Sequence, residues 1–287
     1  MNIKQKVVDL IRYRTTSLPT LPVVVNNIVE VARSETTSAQ DLAKFISNDQ
    51  AISARVLRVA NSVYYGMSQK IDSISRAIVV IGFREILSLA LGTGIISALS
   101  KNGDEVPIDM AELWKHSIGV GFAAKNIAKK TRNVVEESAV LIGLLHDIGK
   151  IMFGLYFPKE YTEVLKRTAE EATPLHKIEK SILGLDHAEM ANLLMKQWNF
   201  PPNIIQPVRY HHNPCECPKE QGSMAMAVNA ANVVCRQSGI GQSGNRGIEK
   251  ETEVLTRLEL SDQKIALLAE ELDSQRPQVE EFLASVS

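Results

Sequence analysis

Residues 138–153 read Ser-Ala-Val-Leu-Ile-Gly-Leu-Leu-His-Asp-Ile-Gly-Lys-Ile-Met-Phe, an almost wholly apolar run with His146, Asp147 and Lys150 set inside it. A helix that is apolar on nearly every side is a buried helix. An imidazole and a carboxylate inside it need partners, because an unpaired buried charge costs on the order of several kcal/mol. A metal ion is a natural partner. The pattern predicts one continuous helix in which His146 and Asp147 project about 100° apart and flank an ion without a break in the backbone.

The rest of the chain is also helical in pattern. Apolar residues recur at helical spacing in nearly every segment and alternating strand patterns are scarce, so the expected fold is all-α, as one large domain or two lobes. Val23, Val24, Ile28 and Val31 share such spacing. Ser38 with Asp41 reads as a variant capping box, Asp49 as the cap of a helix with Ile52, Val56, Leu57 and Val59 inward, and Ser73 as a further start punctuated by Gly82. Ile86 to Leu99 is strongly apolar, and the turn-rich stretch Lys101 to Glu105 marks a first boundary. A second block runs to Gln237, with Pro158, Pro174 and Pro201-Pro202 suited to helix first turns and Asp186 with Glu189 as another capping box. Gln237 to Arg246 is rich in Gly and Ser and reads as a linker, ahead of an amphipathic helix capped at Ser261. The expected units are therefore 1–105, 106–237 and 238–287.

Composition narrows the function classes. A net charge of -1 exerts no general pull on nucleic acid or anionic lipid, and 5% aromatics is too few for a base-stacking platform. Three cysteines are an odd number and make no disulfide framework, which fits a reducing cytoplasm. Met1 to Lys6 lacks a signal-peptide core, and no unbroken apolar run looks long enough for a bilayer of about 30 Å. The expectation is a cytoplasmic protein with neither a membrane nor a nucleic-acid partner.

All six histidines fall in the second block. Glu112 and His116 lie one helical turn apart, so both point the same way. His187 stands at a helix start beside Asp186, and His211 and His212 follow the apolar residues Ile204, Ile205 and Val208. Imidazole and carboxylate ligands suit Fe, Mn, Zn or Ni better than Ca or Mg. Lys150, one turn beyond Asp147, is placed to hold a phosphate next to the metal. His176, beside Pro174, reads as a surface residue. The bland reading stands beside each of these: a single histidine is more often a hydrogen-bonded structural residue. The pair Cys215 and Cys217 is too tightly spaced for an ordinary zinc site and reads as free thiols in a loop. Asn61-Ser62 with Tyr64-Tyr65-Gly66 reads as a helix end with packing tyrosines before it reads as a recognition surface.

The string His116, His146-Asp147, His187, His211-His212 resembles the HD superfamily of metal-dependent phosphohydrolases. More closely it resembles the HDOD domain, the HD-related output domain of bacterial signalling proteins. The same likeness is carried by Leu18-Pro19-Thr20-Leu21-Pro22, Leu57-Arg58-Val59-Ala60-Asn61-Ser62, Leu113-Trp114-Lys115-His116-Ser117, Gly184-Leu185-Asp186-His187 and Trp198-Asn199-Phe200-Pro201. It spans about residues 15 to 235 and implies an all-α bundle in two lobes with a role in signal transduction. In the related HD-GYP enzymes, which hydrolyse cyclic di-GMP, metal ligands match Glu112, His116, His146, Asp147, His187, His211 and His212, and a phosphate-binding lysine matches Lys150. This chain departs from them twice. No Gly-Tyr-Pro follows His212, and Asn232 stands where the enzymes carry a late aspartate.

Three functions compete at this point. One is a non-catalytic regulatory module with a retained metal site that binds other signalling proteins. The second is a metal-dependent phosphohydrolase of a nucleotide, cyclic dinucleotide or phosphate ester, using Asp147 and Lys150. The third is a metal- or redox-sensing domain. The two departures favour the module.

Overall fold

The computed structural model describes residues 19–34, 36–100, 106–131, 134, 138–245 and 252–286. Helix starts follow from side-chain chemistry. α1 (Val23–Arg33) precedes α2 (Ala39–Ser47), which opens on the expected box: Asp41 N donates to Ser38 Oγ at 3.1 Å and Ser38 N to Asp41 Oδ2 at 3.1 Å. α3 (Gln50–Ala60) is capped by Asp49, whose Oδ1 accepts from Ile52 N at 2.9 Å. α4 (Ile74–Ile81) starts on Ser73 and stops at Gly82, and α5 (Phe83–Ser100) is buried along most of its length.

The second half begins with the long α6 (Met110–Lys130), followed by α7 (Ala139–Leu145), α8 (Ile148–Tyr156), α9 (Pro158–Glu171) and α10 (Leu175–Leu183). Then come α11 (His187–Gln197), α12 (Pro202–Arg209), a 3-10 turn at Pro214–Glu216 and α13 (Lys219–Ser238). α14 (Thr252–Arg257), α15 (Asp262–Ser274) and α16 (Arg276–Val286) complete the order. The described residues hold no strand, so the fold is all-α. The boundary expected at Lys101 to Glu105 lies outside the described residues.

One apolar core runs from Leu21 to Val286. α6 is its axis, packed on α7, α13, α15 and α16. Contacts far apart in sequence tie the two halves: Trp198 Nε1 donates to Pro19 O at 2.9 Å, and Val63 N to Glu281 Oε2 at 3.1 Å. The Asn61 segment is structural. Its side-chain Nδ2 donates to Leu57 O and Ile71 O, and its Oδ1 accepts from Ile71 N at 2.7 Å, while Tyr64 stacks on Phe122 with ring centres 4.0 Å apart. Two stretches, Phe83–Ser100 and Ala139–Tyr156, are after all long and apolar enough for a membrane by length and composition. Both are mostly buried inside the protein, as core helices are.

Candidate metal centre

The apolar run of 138–153 is not one helix. α7 ends at Leu145, His146 and Asp147 form a turn, and α8 starts at Ile148. Asp147 has φ -104 and ψ 4, and Lys150 N donates to Asp147 O at 2.9 Å, so the backbone tightens there. The bridge-region geometry of Asp147 is one that functional residues often adopt. It brings the two side chains together, with His146 Nε2 3.3 Å from Asp147 Oδ2. Gly149 makes room for the neighbour: a Cβ there would lie 2.0 Å from His187 O, so only glycine lets α11 come this close.

Four further elements deliver imidazoles to the same place. His116 comes from α6, with Nε2 3.9 Å from Asp147 Oδ2. His187 opens α11, whose capping box (Glu189 N to Asp186 Oδ1 at 2.8 Å, Asp186 N to Glu189 Oε2 at 2.9 Å) fixes where that helix begins. His187 Nε2 stands 3.1 Å from Asp147 Oδ1, off hydrogen-bond alignment, and 2.8 Å from His212 Nε2. His211 and His212 follow α12, and Asn229 Nδ2 of α13 holds the turn by donating to His211 O at 2.8 Å. His176, expected at the surface, is 9% exposed and stacks on His212 with ring centres 4.3 Å apart. It lies in the first turn of α10 and is buried, so all six histidines form one connected group of rings.

The outer nitrogens are engaged in a way that orients the inner ones. His146 Nδ1 is 2.7 Å from Gly143 O, His211 Nδ1 is 2.8 Å from Val208 O, and His187 Nδ1 is 2.6 Å from Glu179 Oε2. Carbonyls and carboxylates only accept, so each Nδ1 carries the proton. In the neutral ring, Nε2 then presents its lone pair. His116 Nδ1 meets Cys235 Sγ at 3.6 Å, and that thiol can in turn donate to Ile240 O at 3.4 Å. The Nε2 atoms of His116, His146 and His211 are buried and make no hydrogen bond. Buried polar atoms normally find partners. Orphaned lone pairs beside a carboxylate are a donor set that could hold a cation.

Two groups of three could each hold an ion: His116, His146 and Asp147, and His187, His211 and His212. On α13, Asn232 lies between Asn229, which holds His211, and Cys235, which meets His116, and its buried Oδ1 makes no hydrogen bond. Electrostatics set His187 apart from His116 and His211. Burial pushes His116 down to about 3 and holds His211 well below the usual histidine range. Burial acts against the charged form of His187 too, but the Glu179 carboxylate, with Asp147, outweighs it and pushes that ring up to about 9. Burial would raise Asp147, but His146 and Lys150 beside it hold the carboxyl well below its usual range.

Two expected site residues behave differently. Glu112 turns its carboxylate to the partly exposed Lys115 Nζ at 2.7 Å and joins neither group of possible ligands. The reason is local: its position near the start of α6 puts a lysine three residues on within reach. Lys150 does stand beside Asp147, donating to Oδ2 at 2.7 Å, but its ammonium also donates to Ser243 O at 3.0 Å. Ser243 belongs to the Gly/Ser segment expected as a linker. Residues 239–245 instead lie on the site as a strap: Gln242 N donates to Glu112 O at 3.1 Å, Ile240 is 1% exposed, and Asn245 Oδ1 accepts from Leu175 N at 3.2 Å. Cys215 and Cys217 form no disulfide and join neither group of ligands.

The HDOD domain family model matches residues 18–214. A solved HDOD domain protein of unknown function from Geobacter sulfurreducens is 26% identical with a TM-score of 0.77, and the match covers 98% of this chain and 97% of that one. A candidate phosphohydrolase from Shewanella amazonensis superposes with a TM-score of 0.75 at 21% identity, over 96% and 98% of the two chains, a likeness of fold. An uncharacterized protein of Treponema pallidum is 27% identical over 224 residues, 78% of this chain but 43% of that protein, so this chain spans less than half of that relative's length.

Proposed function

This chain belongs to the HDOD domain family, and from that premise we propose that it is a cytoplasmic signal-transduction protein whose regulatory centre binds a divalent transition metal without turnover. One observation carries the reading: His116, His146 and His211, from distant elements, have their outer nitrogens held while their buried Nε2 atoms make no hydrogen bond. The ligands we propose are His116, His146, Asp147, His187, His211 and His212, with the buried Oδ1 of Asn232, which makes no hydrogen bond, as a further neutral oxygen. Nitrogen with carboxylate oxygen suits Fe, Mn, Zn or Ni. Such a metal supplies positive charge and Lewis acidity when bound.

The chain's own residues favour regulation over hydrolysis. Lys150, the side chain a phosphate would need, is already held by Asp147 and Ser243 O. Asn232 brings no negative charge where the related enzymes carry aspartate. Metal occupancy would instead join α6, the α7–α8 turn, α11 and the end of α12. A ligand that binds one arrangement of helices better than another shifts the population between them, and other signalling proteins would read the result. A nucleotide or phosphate ester would have to displace Ser243 O to reach Lys150, which makes it the input class to test.

Elemental analysis of protein reconstituted with Fe, Mn, Zn or Ni tests this. Bound metal is expected in the wild type and lost in His146→Ala and Asp147→Ala, with no turnover of cyclic dinucleotides or a generic phosphodiester. A wild type that takes up no metal ends the reading. Turnover abolished by Asp147→Ala would establish the second reading, a phosphohydrolase, which the Asp147–Lys150 pair in this fold supports.

A further inference from the structure

Among the outer contacts of the imidazoles, three are neutral: Gly143 O, Val208 O and Cys235 Sγ. That of His187 is a carboxylate. Glu179, on α10, is fully buried. Its Oε2 accepts from His187 Nδ1 at 2.6 Å and from His187 N at 2.8 Å, and its Oε1 accepts from Tyr161 Oη of α9 at 3.2 Å. Three donors thus surround one carboxylate in the core, and it meets no lysine or arginine among its hydrogen bonds. Burying an ion in this way is costly and calls for a compensating role.

We propose that Glu179 is a positioning residue of the metal centre, acting through His187, with Tyr161 bracing it from behind. The inference rests on the metal reading above. A carboxylate on Nδ1–H fixes the tautomer, sets the ring plane and raises the basicity of the far nitrogen. That far nitrogen, Nε2, is the atom that lies between Asp147 Oδ1 at 3.1 Å and His212 Nε2 at 2.8 Å. His187 is therefore the most strongly donating of the imidazoles. Capping α11 does not account for the arrangement. The backbone N–H of His187 needs only one acceptor, whereas the same oxygen also takes the ring N–H at a shorter distance.

Glu179→Gln separates the two roles, because the amide oxygen can still accept the backbone N–H while the charge is gone. Zinc affinity, measured by competition with a chromophoric chelator, is expected to fall about 10- to 100-fold. In a His187→Ala background the same substitution is expected to change zinc affinity not at all. An unchanged affinity in the first background, or an equal loss in both, overturns the proposal. A wild type that binds no zinc removes the metal reading itself, and the proposal with it, before any variant is made. Should Glu179→Gln fail to fold, nitrogen-15 NMR of the zinc-loaded wild type decides. Protonated Nδ1 with metal-bound Nε2 on His187 supports the role, and the reverse tautomer overturns it.

Discussion

The amino-terminal helices α1 to α5 and the histidine-bearing helices α6 to α13 are built on different principles. Among the described residues before position 100, the buried polar side chains are Ser62, Ser88 and Thr93, all small hydroxyls. Between 116 and 212 the core encloses His116, His146, Asp147, Lys150, His176, Glu179, Asp186, His187, His211 and His212. The first region is held by apolar packing. The second gives up apolar contact for ionisable groups whose desolvation packing cannot offset. A fold shaped only for stability would not collect them, so the second region reads as one whose stability waits on something that binds it.

The largest expected effect tests that contrast directly. Ile95 of α5 is fully buried, and Ile95→Ala should cost about 2–5 kcal/mol through lost transfer energy and a cavity. Chemical denaturation should show the same loss with and without metal. In the other region, a metal at about a hundred times its dissociation constant should add about 2.7 kcal/mol, reversed by a chelator and absent in His146→Ala. If metal shifts the denaturation midpoint of His146→Ala as much as that of the wild type, the two regions do not differ in the way described.

A finer test uses pH on metal-free protein. His187 is held at about 9 against an ordinary 6.5, so between those values the folded chain keeps a proton that the unfolded chain has lost. Stability should therefore fall as pH rises through that window. His116 is pushed to about 3, and His211 is lowered as well, so below 6.5 the unfolded chain takes up protons that the folded chain refuses. Stability should fall there as pH drops. Each proton contributes a slope on the order of 1.4 kcal/mol per pH unit. The profile should peak near the ordinary histidine value, and metal should flatten its alkaline side, because a ligated His187 has already given up the proton. Denaturation midpoints from acid to alkaline pH, with and without zinc, would show it, and a flat metal-free profile would contradict the assignment.

Much of this was legible in the sequence for physical reasons. Capping residues act within four positions, so Ser38, Asp49, Asp186 and Ser261 announce their helices in the chain itself. The histidines were legible as a set because an ionisable residue in an apolar stretch is unusual. The break at His146-Asp147 was not, since helical spacing predicts continuity and tertiary contact with α11 overrides it. Glu179 has a sequence signal of its own: Leu175, Ile178, Ile182 and Leu183 define the inward stripe of α10, and position 179 falls on it. His176 is buried and stacks on His212, which lies far away in sequence. Glycine and serine read as a linker because composition reports freedom, not what a neighbouring surface does with it.

The strap gives the smallest expected effect and the finest test of the difference between the regions. Gly241 has φ +64, and a Cβ there would lie 2.2 Å from His116 N and 2.5 Å from Glu112 O. Gly241→Ala should thus destabilise the strap by about 1 kcal/mol or more, through the left-handed backbone and the clash together. The loss falls on local opening of 239–245, whose one anchor in the apolar core is Ile240. One kcal/mol corresponds to about a fivefold change in an opening equilibrium. Hydrogen exchange at Gln242, whose N–H bonds Glu112 O, should accelerate by about that factor while amides of α5 keep their rates. The released Ser243 carbonyl would also free Lys150, so phosphate should protect the variant more than the wild type. Unchanged exchange at Gln242 would mean that the strap is not anchored at this glycine and that the second region closes over its charges by other contacts.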